Sequence, residues 1–175
     1  MIFIPGSLIT LVTFPGVVVH EIAHQFFCRL TGTAVLDVCY FRMGNPAGYV
    51  VHERPRTRAK ALLVSIAPFI VNTLLGAMIA APAAISAFTF EDGDFLDGLL
   101  IWLGVSIAMH AFPSRQDAQS LWSAFKEERW WIKALIAPIV FVIHSGAVLS
   151  FVWLDLIYGV GVAAIVPKLL VRWAA

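Results

Sequence analysis

The stretch SLITLVTFPGVVVHEIAHQFFC, residues 7–28, decides how the rest of the chain is read. It has about the ~20 mostly apolar residues that a helix needs to cross a bilayer. Its only acidic, basic or imidazole side chains are His20, Glu21 and His24. Such groups are costly inside a membrane and are functional by default. His20-Glu21-Ile22-Ala23-His24 is an HExxH sequence. On a helix its two histidines stand one turn apart on one face, so both imidazoles can bind one zinc ion while Glu21 lies beside the metal's water. With five His and five Glu in 175 residues, chance would supply this pattern about 0.004 times per chain. Coincidence is a poor explanation.

Composition agrees with the membrane reading. The chain is 60% apolar and 13% charged, against roughly 45–50% and 25% in a soluble domain. A chain this short cannot hide so many apolar side chains, so much of its outside should face lipid. The expected class is an all-α multi-span membrane protein forming a single domain over residues 1–175. Further apolar stretches place spans at about 60–88, 95–112, 132–153 and 156–171, five in all with 7–28. The last two come from one block, which as a single helix would be ~60 Å long and so should fold back near Trp153–Asp155. Residues 1–6 lack the basic segment of a secretory leader, so the first span should be retained. Residues 34–54 read differently. Ala34–Phe41 is rich in β-branched and aromatic residues, Asn45-Pro46-Ala47-Gly48 is turn chemistry and Tyr49-Val50-Val51 follows, which predicts a β-hairpin on the cytoplasmic side.

On this reading all twelve Lys and Arg residues fall on one side of the membrane, while the opposite loops carry Glu91, Asp92, Asp94, Asp97 and Asp155. The expected orientation is N-terminus outside and C-terminus cytoplasmic, in a prokaryotic cell membrane. A net charge of +1 and the lack of a long basic run speak against nucleic-acid binding. Cys28 and Cys39 read as plain thiols.

A catalytic zinc site takes three protein ligands and keeps a position for water. The candidates for the third ligand are Asp37, His52, Glu53, His110, Asp117 and His144. Asp117 follows the third span at the level of His20 and His24, though its place before a polar helix would also suit an N-cap.

In this order the elements resemble the site-2 protease family of intramembrane zinc metalloproteases. The residues that carry the resemblance are His20-Glu21-Ile22-Ala23-His24, the Ala67-Pro68-Phe69-Ile70-Val71-Asn72 stretch, and Ala111-Phe112-Pro113 leading to Asp117. They span roughly residues 10–125. The resemblance implies Asp117 as third ligand, where the residues alone leave Glu53 and His110 as the next candidates, and Asn72 as a group that binds the substrate backbone or oxyanion. An asparagine bridging packed helices is the other reading of Asn72. It further implies peptide hydrolysis in membrane-embedded or membrane-adjacent substrates by a zinc-activated water, with Glu21 as general base. The substrate has to be extended, and the hairpin offers an edge strand to hold it so. A rival class is a non-catalytic scaffold or a metal-binding transporter component using His20 and His24; such a protein has no need of Glu21.

Overall fold

The computed structural model describes residues 6–149 and 153–174. The helices are α1 (Gly6–Val12), α2 (Phe14–Leu30), α3 (Arg58–Thr89), α4 (Phe95–Met109), α5 (Arg115–Lys126), α6 (Trp130–Leu149), α7 (Leu154–Val160) and α8 (Val166–Ala174). Strands β1 (Val35–Cys39) and β2 (Tyr49–His52) lie between α2 and α3. A π-helical turn over Gly161–Ile165 joins α7 to α8 in one helical rod.

The five expected spans do not stand. Among the described residues three helices, Arg58–Thr89, Trp130–Leu149 and Leu154–Trp173, are long and apolar enough to cross a membrane. The 7–28 stretch breaks at Thr13, whose Oγ1 donates to the Ile9 carbonyl at 2.7 Å. Pro15 then opens α2 without an N–H that could continue α1. At 17 residues, α2 is ~26 Å long. The 95–112 stretch yields a helix of only 15 residues, ~22 Å, shorter than the ~30 Å hydrocarbon layer. A reciprocal Asp94–Asp97 capping box starts it, and the chain turns away at His110. The fold-back expected near Trp153 falls partly on residues 150–152, outside the described residues. Trp153 itself takes a left-handed conformation (φ 64°) just before α7.

Helix α3 is the spine, 32 residues or ~48 Å, and it interrupts its own ladder at Pro68 and Pro82. It packs on α4 through small residues. A Cβ on Gly76 would stand 2.7 Å from the Gly104 carbonyl, and one on Gly104 2.5 Å from the Ala80 Cβ. The two backbones are therefore in direct contact, as in membrane helix pairs. Outward faces are apolar: Leu74 and Met78 of α3 and Leu135 and Phe141 of α6 are exposed.

The rod α7–α8 runs beside α3 in the same direction. The Tyr158 hydroxyl meets Thr73 Oγ1 at 2.7 Å, and farther along, Lys168 and Arg172 line a groove with Phe88 and Thr89 at the C-terminal end of α3. The expected collection of every basic residue on one side therefore fails. Lys168 and Arg172 share the end of α3 that leads into Glu91 and Asp92, opposite Arg58 and Lys60, and α8 does not return to the Arg-rich end.

The hairpin forms as expected, antiparallel with Val35 opposite His52 and Cys39 opposite Tyr49. Leu62 and Ile66 of α3, Leu121 of α5, and Val140 and Ile143 of α6 make a buried apolar cluster. That cluster docks the short amphipathic α5, and α5 carries Asp117. Cys28 and Cys39 are free thiols.

Candidate metal centre

Helix α2 is turned inside out relative to a soluble helix. His20, Glu21 and His24 are 7%, 8% and 5% exposed, while Ile22 and Phe26 face outward. Ionisable groups point into the bundle and apolar ones away from it, as expected where the surroundings are lipid.

Each histidine has its own environment. Nδ1 of His20 donates to the His110 backbone carbonyl at 2.7 Å. That bond places the ring proton on Nδ1 and leaves the Nε2 lone pair free. The His24 ring approaches the Val64 carbonyl without reaching hydrogen-bond geometry. Pro68, four residues after Val64, has no N–H to occupy that carbonyl. Nε2 of His24 is buried, has no hydrogen-bond partner and lies 3.8 Å from Asp117 Oδ2.

Asp117 is the third residue of α5. Ser114 caps the helix, and its hydroxyl donates to Asp117 Oδ2 at 2.6 Å while the Asp117 N–H donates to Ser114 Oγ at 3.2 Å. Asp117 therefore is not the N-cap. Ser114 both caps the helix and aims the carboxylate. Ser114→Ala is expected to cost about 1 kcal/mol of stability and to weaken zinc binding by about 10-fold, checked by thermal unfolding and metal titration.

One ligand atom from each of His20, His24 and Asp117 lies within 4.8 Å of the others, and among the described residues no other His, Cys, Asp and Glu side chains are gathered this way. Two imidazoles and a carboxylate are a donor set that zinc accepts. Nε2 of His24, buried and unpartnered, is a lone pair that such an ion would satisfy. The other candidates stand elsewhere. His52 and Glu53 line the adjoining cavity but lie outside the trio. Asp37 is held within the hairpin, accepting from the Tyr49 hydroxyl at 3.0 Å. Nδ1 of His110 donates to the Ser106 carbonyl at 3.0 Å. The His144 ring stacks on Trp122 at 5.2 Å.

Asn72 is not free to meet a substrate as expected. It is fully buried, and its amide nitrogen donates to the carbonyls of Gly16 (3.1 Å), Ile107 (3.0 Å) and His110 (3.2 Å). Its two N–H groups are spent on three acceptors where α2, α3 and α4 meet.

With this geometry in view, the model of the DUF3267 family, described as "Putative zincin peptidase", matches residues 13–117. The chain belongs to this family. Membership makes it a zinc metallopeptidase-like protein and implies zinc as its metal. The matched region opens one residue before α2 and closes on Asp117, so it takes in the whole trio. No curated protein and no solved structure matches the chain.

In this zincin-like chain a cavity of about 900 Å³ opens beside the trio, with His24 and Asp117 in its wall together with Glu53, Arg54, Arg56 and Gln119. Glu21 is reached from another side. A Cβ on Gly48 would stand 2.7 Å from Glu21 Cγ, so the hairpin backbone lies directly on the glutamate. In the sequence Gly48 reads as a turn residue; a glycine before a strand also marks close backbone approach. The reading of the sequence passes over Ser114 and the His110 carbonyl. The first was readable as a serine three residues before Asp117. The second has no signal in side-chain chemistry, because a backbone carbonyl is shared by every residue.

Proposed function

We propose that this chain is a membrane-bound zinc endopeptidase of the site-2 protease kind, with His20, His24 and Asp117 as metal ligands and Glu21 as general base. The observation that carries this reading is the gathering of half-exposed Asp117 with the buried His20 and His24, which stand next to Glu21 on the inner face of a helix whose outer face is apolar. Bound zinc would supply Lewis acidity and a water acidified enough to lose a proton near neutral pH. The protein's part is positional. His110 holds the His20 ring, Ser114 holds the Asp117 carboxylate, and Glu21 takes the proton from the attacking water and passes it to the leaving amine.

The cavity beside His24 and Asp117, lined by both charged and apolar side chains, suits a polypeptide that enters from the Arg54–Lys60 end, which we place on the cytoplasmic side of a prokaryotic cell membrane. The substrate is a membrane-embedded or membrane-adjacent polypeptide. Strand β2, which follows Gly48 and ends on His52 at the cavity, is the element to hold it extended by edge pairing. The order of HExxH helix, Pro68–Asn72 helix and Asp117 along the chain supports the site-2 protease assignment.

The test is purification in detergent, zinc analysis and cleavage of a transmembrane-peptide library. About one zinc per chain is expected, with cleavage stopped by a chelator and restored by zinc. A chain that binds no zinc, or one that cleaves equally well with its metal removed, overturns the proposal.

A further inference from the structure

Asn72 occupies the point where three helices touch. A Cβ at Gly16 would collide with the Ser106 carbonyl and the His110 ring, so α2 and α4 are in backbone contact there. From α3, the Asn72 amide donates to the Gly16 carbonyl in the first turn of α2 and to the Ile107 and His110 carbonyls at the end of α4. The His110 carbonyl lies past the end of α4, where a helix supplies no N–H partner. Left alone, it would be free to reorient. Among the described residues it accepts from Asn72 Nδ2 and His20 Nδ1.

We infer that Asn72 is a positioning residue of the metal centre: by fixing the His110 carbonyl it sets the tautomer and orientation of the His20 ring. The inference rests on the zinc-peptidase reading and replaces the direct substrate role that the sequence suggested for Asn72. A second observation favours it over plain packing. Asn72 Oδ1 is buried with no hydrogen-bond partner, so the side chain carries an unpaid desolvation cost that a merely space-filling residue would avoid. The amide is kept for its donors. Partners that orient a metal-binding histidine are typically worth 10–100-fold in metal affinity.

The test measures zinc affinity by competition with a chromophoric chelator, the visible absorption of the Co²⁺-loaded protein, and thermal unfolding, for the full chain in detergent. Asn72→Ala is expected to weaken zinc binding by about 10–100-fold and to alter the Co²⁺ spectrum. Asn72→Ser, which keeps one donor, should fall between. Thr73→Val removes the neighbouring bond to Tyr158 and should lower Tm while leaving zinc affinity and the Co²⁺ spectrum unchanged. A folded Asn72 variant that binds zinc as tightly as wild type overturns the inference, even if its Tm falls. Imidazole ¹⁵N shifts of the wild-type protein test it without any variant: His20 should be protonated at Nδ1, and the other tautomer overturns the inference. If wild type binds zinc and the Asn72 variants are unaffected, only this role is lost; if wild type binds no zinc, the peptidase reading falls with it.

Discussion

Glu21→Gln is expected to lower cleavage by about 10²–10⁴-fold with zinc content unchanged. The substitution keeps the size of the side chain, so the hairpin backbone at Gly48 still fits over it. The amide cannot accept a proton. Glu21 is not among the three side chains gathered at the centre, which is why metal should be retained. In kinetic terms kcat should fall with little change in KM, the pattern of a group that acts only in the transition state. A Glu21→Gln protein that cleaves as fast as wild type sinks the general-base assignment. A non-catalytic metal-binding protein would show no cleavage in either form.

The second large effect concerns the third ligand. Asp117→Ala is expected to weaken zinc binding by more than about 100-fold, beyond what loss of an outer-shell partner causes. Glu53→Ala should stay near wild type. Both carboxylates border the same cavity, but only Asp117 lies beside the unpartnered Nε2 of His24. Zinc analysis of the two variants separates them, and zinc loss in Glu53→Ala with retention in Asp117→Ala would reassign the ligand. Asp117→Asn, which keeps an acceptor for Ser114, guards against reading a lost helix start as a lost ligand.

How much was legible depended on whether the signal was local. The hairpin was local: alternation over 34–41, turn residues at 45–48 and the β-branched run after it were enough. HExxH was local too, since one turn of helix brings His20 and His24 onto one face. Span counting was less secure. Hydropathy sums apolar residues but does not see where a helix is broken, and Thr13–Pro15 and the turn at His110 left α2 and α4 too short. The sorting of basic residues failed for a related reason. It assumed that each apolar block reverses direction, whereas α7–α8 runs parallel to α3 and carries Lys168 and Arg172 to the far end.

By itself the sequence determined the apolar, charge-poor character of the protein and the HExxH pattern it carries. Too few charges for a soluble surface, and two histidines and a glutamate within one apolar helix, are properties of composition and of 3.6-residue periodicity. Tertiary structure decided which distant groups join them. Asp117 is 93 residues from His24 along the chain, and only the docking of α5 through Leu121 onto Leu62, Ile66 and Ile143 brings its carboxylate to 3.8 Å. The same holds for Asn72. Its residue type suits a substrate or a helix contact equally, and the crossing of α2, α3 and α4 alone turns its amide toward three backbone carbonyls. Contacts of that kind are set by packing between helices, and packing depends on surfaces that no single stretch of sequence contains.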